Sequence, residues 1–286
     1  MKASPLFLAA AAFASVIGVS SAHAQMTPLY FTCDANARDL AMKGLKEGTA
    51  SDAEQATELK AAETAIAAAA KLNAEALAGL EVPQPYSGAA YWMRLAAKAP
   101  SPELAELYQR VAKDQLTRYQ SGIAMQRTHW AAGLSDAARA YAYRIIQLDG
   151  CGVDQANTAW LKERVKAHGW YTIDTYGKEA DQAAFLLAQH ADRDAAFQAE
   201  VLPQLEKLAQ EGKAKPSSYA MLYDRVAVAQ KRPQRYGSQG RCNDQGVWTA
   251  FETEDPATLD QRRASMGLQP AADYAAMVSS RACKRA

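Results

Sequence analysis

The sequence predicts a mainly α protein, a multi-helix bundle with a short β-hairpin near its C-terminus. Three observations carry that prediction. Apolar residues recur at three- and four-residue spacing through most of the chain, which is helical periodicity. Residues that start helices stand just ahead of these stretches: Ser51, Ser101 and Ser135. After Arg232–Pro233 the texture changes to short, polar, glycine-bearing runs in which strand-like alternation replaces the helical stripe.

Residues 1–24 read as a segment apart from the fold. Lys2 gives a positive start, Leu6–Val19 is apolar, and Ala22–His23–Ala24 is a small-residue cleavage site. The apolar run is shorter than the ~20 residues a membrane span needs. The expectation is a secretory signal peptide and a periplasmic or secreted mature chain. Cleavage after Ala24 would leave 262 of the 286 residues.

Residues 25–100 form an Ala-rich helical region. Ser51 and Glu54 make a capping box, and the helix they open runs to about Leu80 with Leu59, Ile66 and Leu77 on one stripe. Pro83 and Pro85 break it. Residues 101–286 form a helical domain with the hairpin. Ser101–Pro102–Glu103 combines cap, first-turn proline and carboxylate, and turns Leu104, Leu107, Val111 and Leu116 inward. Ser135–Asp136 starts a helix to about Leu148, and Asp154 starts another through Val165. Two more follow His168–Gly169, the second containing Pro203, and a further helix spans Ser217 to about Ala229. Gln234–Gln239 and Val247–Phe251 are expected to pair across the link GRCNDQG, and a last helical pair breaks at Gly267–Pro270.

Charge narrows the function classes. The full chain carries 32 Lys and Arg against 31 Asp and Glu, and the only charged residue before Ala24 is Lys2. A neutral mature chain has no electrostatic footprint for nucleic acid, and the short tail Arg281, Lys284 and Arg285 does not supply one. No later apolar run is long enough for stable membrane insertion. Four cysteines in an exported chain favour two disulfides, with three pairings open. Cys242 and Cys283 share the C-terminal part, which favours that bond together with Cys33–Cys151.

Four polar clusters interrupt the apolar pattern. In AFLLAQHADRDAAFQ, His190 follows Leu187 by three positions and Leu186 by four, so it borders a buried stripe. Asp192 stands two residues on, where a helix cap is the simpler role. Asp224 and Arg225 sit on an otherwise apolar helix, about 100° apart, so they need different partners. Gln234, Tyr236 and Gln239 alternate with Arg235 and Gly237 as a polar, aromatic edge. Asp114 and Arg118 are helical neighbours able to form a surface pair, with Gln115 beside them. Only His129, His168 and His190 remain beyond the signal, too few for a histidine-rich metal site, and no phosphate or dinucleotide loop is present. No cofactor is expected.

In order and spacing, DQxxR, QHAD, DRV, PQxYGSQ and the late RRASMGL resemble the bacterial family called domain of unknown function 6624, over roughly residues 105–275. Tyr171 departs from it, standing where many relatives carry proline after the tryptophan. The resemblance implies a helical fold with a small hairpin and groups Asp114, Gln115, Arg118, Gln189, His190, Asp192, Asp224, Arg225, Gln234, Tyr236 and Gln239 as one set. It implies no reaction. Three readings follow for that set. One is a non-enzymatic binding module whose Gln, Tyr and Arg side chains hold a polar small molecule or peptide. A second is a metal-independent hydrolase or transferase, with His190 as general base oriented by Asp192 or Asp224 and Arg225 or Arg118 stabilising negative charge. The third is an internal network that fixes the helices.

Overall fold

The computed structural model describes Cys33 and residues 36–283; the expected signal peptide, Lys284 and Arg285 lie outside the described residues, as does the side chain of Arg281. The described chain is mainly helical. Its helices are α1 (Ala37–Glu47), α2 (Asp52–Leu77), α3 (Ser87–Ala96), α4 (Pro102–Gln126), α5 (Asp136–His168), α6 (Ile173–Tyr176), α7 (Lys178–Gln189), α8 (Ala195–Gln210), α9 (Pro216–Ala229), α10 (Leu259–Ser265) and α11 (Ala271–Val278). None of the described helices is long and apolar enough to cross a membrane.

The start signals act as local chemistry predicts. The hydroxyls of Ser51, Ser101 and Ser135 accept the backbone N–H groups of Glu54, Leu104 and Ala138, satisfying donors that the first turn leaves orphaned. Glu54 reaches back one residue beyond the cap, to the N–H of Ala50 at 2.6 Å. Leu104, Leu107, Val111 and Leu116 all face the core.

One expectation is corrected in the middle of the chain. The two helices read on either side of residue 150 are a single 33-residue helix, α5. Asp149-Gly-Cys-Gly152 looks like a stop because glycine is a poor helix former. Here Gly150 is buried and Cys151 is bonded to Cys33, so packing and a cross-link outweigh propensity. Asp154 is therefore a mid-helix residue and not a cap.

Helices α4 and α5 form the spine, with α3 on α4, α1 and α2 on α5, and α7 against both. Trp92, Leu107, Tyr108, Leu161, Trp170, Phe185, Leu187, Leu205 and Leu222 belong to one core. Helix α8 packs on α9 and α9 on α7, which brings the C-terminal segment to the bundle.

The hairpin pairs β1 (Gly240–Cys242) with β2 (Trp248–Ala250), antiparallel, Arg241 opposite Thr249. The strand thus falls within the segment expected to be the link. Gln234–Gln239 is a compact loop, joined to the following chain by a parallel bridge from Gln234 to Thr253 and by the Phe251 N–H on the Gln239 carbonyl. Gly237 has φ +61°, which breaks the alternation that a strand requires. At Gly240 a β-carbon would lie 2.3 Å from the Thr249 carbonyl, so β2 can approach only a glycine. Both expected disulfides, Cys33–Cys151 and Cys242–Cys283, are present.

Candidate active site

The apolar helix α7 ends at Gln189, and His190 follows at its C-terminal cap, its N–H on the Leu186 carbonyl. The chain then turns through Asp192 and Arg193 before Asp194 caps α8 by accepting the N–H of Phe197 at 2.9 Å. The cap is Asp194, and Asp192 has a different task. Its carboxylate takes Arg225 Nη1 at 2.6 and 2.7 Å, a pair with both side chains buried. Gln198, 1% exposed, donates to the carbonyls of Ala188 and Gln189 and to Asp192 Oδ1. These bonds satisfy the end of α7 and hold the turn that carries His190.

The carboxylate at His190 comes from α4. His190 Nδ1 lies 2.9 and 3.0 Å from the oxygens of Asp114, 76 residues away in sequence. The expected orienting groups, Asp192 and Asp224, are bonded elsewhere. Asp114 and Arg118, read as a surface pair, are instead a buried contact at 2.9 Å, because α5 and α7 cover that face of α4. Gln115 Nε2 donates to Asp114 Oδ2 at 2.8 Å. Arg118 also spans to α5, where its two terminal nitrogens meet the two oxygens of Asp154 at 3.1 and 3.2 Å.

Electrostatics assign the protonation states. Burial alone would raise the Asp114 carboxyl, but His190, Arg118 and Gln115 outweigh it and hold it below its ordinary range. Burial and the nearby Arg118 charge lower His190, against the pull of Asp114. The imidazole is thus neutral near pH 7. An ionised carboxylate only accepts, so the ring proton sits on Nδ1 and the lone pair on Nε2. Near Nε2 lies the Gln189 amide nitrogen, at 3.4 Å, while Gln189 Oε1 is buried without a partner.

Around His190 three carboxyls, Asp114, Asp154 and Asp192, face two guanidinium groups, Arg118 and Arg225. With His190 neutral, the set balances when one carboxyl keeps its proton. Asp154 is that group. Burial, opposed by Arg118 and reinforced by Asp114 and Asp192, pushes it from 3.8 to about 7.

His190 and Asp154 line one open cavity of about 470 Å³ between α5 and the α7–α8 turn. Thr158, Lys162, Arg193 and Asp194 complete its polar wall. Lys162 is held by Asp194 at 2.5 Å. The His190 side chain is 12% exposed, so its ring is not sealed. Among the described residues, no group of three or more His, Cys, Asp or Glu side chains is placed to hold a metal ion.

The C-terminal motifs form a second polar centre. Asp224 Oδ1 accepts the N–H groups of Arg235 and Tyr236 at 2.9 and 3.0 Å, and Oδ2 accepts that of Ser238 at 2.7 Å. The Gln234 amide bonds the carbonyls of Gln239 and Phe251 and the N–H of Gln239. Arg263 ties the Tyr236 carbonyl at 2.5 Å. Gln234 and Tyr236 are buried, and Gln239 Nε2 turns to Ser238 Oγ. The loop expected to be a recognition edge turns these side chains inward, Gln234 to backbone groups, Gln239 to the Ser238 hydroxyl and Tyr236 against the Tyr219 and Tyr223 rings. Asp224 and Arg225 link the two centres as chain neighbours with separate partners.

Asp114, Gln115, Arg118, Gln189 and His190 are therefore brought together; Asp192 and Arg225 brace them from behind; Asp224, Gln234, Tyr236 and Gln239 stand apart. Asp154 was missed. Its signal is the stripe Cys151, Asp154, Leu161 on one face of α5, visible only when α5 is read as continuous.

Fold and site define a helical-bundle protein with a buried Asp–His–Arg centre opening on a polar cavity. The model of the Family of unknown function (DUF6624) matches residues 116–283, more than half of the chain, and the chain belongs to that family. Arg118, Asp154 and His190 fall inside the match; Asp114 stands just ahead of it, and α1–α3 precede it. No curated protein and no solved structure matches the chain.

Proposed function

We propose that this is an exported hydrolase or transferase in which His190 is the general base and Asp154 the general acid. One observation carries the reading. A neutral histidine, fixed by an ionised carboxylate at Nδ1, shares a cavity with a carboxyl group raised to about 7. A carboxyl that still holds its proton near neutral pH and a neutral imidazole with a free lone pair stand in opposite protonation states, and so supply acid and base at once. His190 Nε2 takes a proton from water or from a substrate hydroxyl. Asp114 stabilises the imidazolium that results, and Arg118 holds Asp114 in place. Asp154 returns a proton to the leaving group. Export is supported by the two disulfides, which persist in oxidising compartments.

The substrate is a polar small molecule or peptide, because the cavity wall is polar and its volume lies within the ~300–1,000 Å³ of ligand pockets. A second reading, binding without turnover in the same cavity, is favoured by the Gln189 amide that stands near Nε2. Hydrolysis of a panel of esters, amides, phosphoesters and glycosides by the purified protein separates the two. Turnover that falls ~10²–10⁴-fold in His190→Gln and in Asp114→Asn supports the catalytic reading. Turnover undiminished in His190→Gln refutes it, and saturable binding with no turnover selects the second.

A further inference from the structure

A base and an acid in the His190 cavity still need a group that meets negative charge on the substrate. Arg118 and Arg225, the cations expected in that role, do not fill it. Arg118 is held by Asp114 and Asp154, Arg225 by Asp192, and neither lines the cavity. Two cations do line it, Lys162 and Arg193. Lys162 is already matched: Asp194 holds its ammonium at 2.5 Å, and the charges of Glu200 and Glu163 act on it as well. Arg193 is exposed and has no hydrogen-bond or ion-pair partner among the described residues.

The turn between α7 and α8 keeps Arg193 close to the base. Three residues on from His190, its Cα lies no more than ~11 Å away even on an extended chain. The turn is tighter than that, because the Asp194 N–H closes on the Ala191 carbonyl at 2.9 Å. It runs along one stripe of α5, where Asp154, Thr158 and Lys162 recur every four residues. His190 is joined to the Asp154 end through Asp114 and Arg118. Asp194 is joined to the Lys162 end, ~12 Å further along the helix. Arg193 stands between them, and it borders with His190 a single cavity of about 470 Å³ that one compact substrate fills.

The chemistry of that cation selects the substrate. A guanidinium presents paired N–H donors that match two oxygens of one anionic group. An acyl carbonyl offers one oxygen, a phosphoryl group at least two. A single unmatched cation balances one negative charge, and the carboxylates gathered at Lys162 oppose a second. A phosphate monoester carries ~1.5–2 charges at pH 7. A phosphodiester carries one, with two non-bridging oxygens. We infer that Arg193 receives the phosphoryl oxygens of a phosphodiester, which names the substrate class of the His190 site and rests on the catalytic reading given above. Water gives a proton to His190 Nε2 as its oxygen bonds to phosphorus. The bond from phosphorus to one ester oxygen breaks, and that oxygen takes the Asp154 proton, leaving a monoester and an alcohol.

The test joins binding to turnover in the disulfide-intact protein near pH 7. In an NMR titration, dimethyl phosphate should give saturable shifts at residues 154–163 and 190–194, at least tenfold weaker for uncharged trimethyl phosphate, for methyl phosphate and for acetate. Arg193→Met should abolish them, and Arg193→Lys should restore part. Lys207→Met, an exposed lysine on α8 outside the cavity, should change nothing. Hydrolysis of bis-p-nitrophenyl phosphate should fall about a hundredfold in Arg193→Met, while His190→Gln loses turnover and still binds dimethyl phosphate. Binding that depends on Arg193 without any turnover upholds the anion site and refutes the catalytic reading instead. No saturable shift, shifts undiminished in Arg193→Met, or equal affinity for acetate or trimethyl phosphate overturns the inference.

Discussion

Replacing Asp154 by asparagine probes the charge balance of the site directly. In the folded protein Asp154 keeps its proton up to about pH 7, whereas in the unfolded chain it ionises near 3.8. A group whose folded pKa is raised contributes stability that is full below the unfolded value and lost as pH rises through the folded one. Between about pH 5 and pH 7 the unfolded state is ionised and the folded state is not, which is two pH units at ~1.4 kcal/mol each, or ~3 kcal/mol. The side chain is 10% exposed, so solvent screens little of this. Asparagine has nearly the same shape and does not titrate; its NH₂ faces one of the two Arg118 nitrogens, a cost that is the same at every pH, so the quantity to read is the change in the stability difference with pH. The value near pH 5 is the reference. By about pH 8 Asp154→Asn should have gained on the order of 3 kcal/mol relative to the wild type. Urea unfolding followed by fluorescence of the five tryptophans, at several pH values and with disulfides intact, measures the difference. A difference that does not change with pH, or a variant that loses ground as pH rises, would show that Asp154 is an ordinary ionised partner of Arg118 and would refute the charge balance.

Two further predictions concern the bracing pairs. Arg225→Met leaves the buried Asp192 carboxylate unpaired and should cost ~3–5 kcal/mol, most of it recovered in the double variant with Asp192→Asn; additive losses in a thermal-unfolding cycle would contradict the pairing. Asp224→Asn sets an NH₂ group against one of the three backbone N–H donors, so it should cost ~1–3 kcal/mol and speed hydrogen exchange at residues 234–239. Unchanged exchange there would remove Asp224 from its role as the loop's anchor.

How much of this was legible follows from the range of each interaction. Ser51, Ser101 and Ser135 act within four residues, and their helices begin where local chemistry places them. Glycines 150 and 152 misled because their helix is sustained by contacts with α1, α2 and α4, which no local window contains. At Asp192 and Asp194 both residues suit a cap; only the position of Arg225, 33 residues on, draws Asp192 away. For the site, the border position of His190 was readable, but the identity of its carboxylate was not. An Asp and Arg four residues apart look the same on a solvated helix and on a buried one. What separates the two is the packing of α5 and α7 over α4, which is also what brings Asp154 to Arg118. Gln234 shows the converse, since its strand-like alternation was real in sequence while its amide, folded back on Gln239 and Phe251, does the work of a ladder.

The central claim is that His190 is a neutral base with its proton on Nδ1 and its lone pair on Nε2. A ¹⁵N NMR titration of the histidine rings, with His190 assigned through His190→Gln, tests it most directly. The Nδ1–H tautomer at pH 7 and a pKa below the ordinary 6.5 are expected, and Asp114→Asn should lower that pKa further, because it removes the negative charge that favours the imidazolium. A ring protonated on Nε2, or one still charged at pH 7, would contradict it.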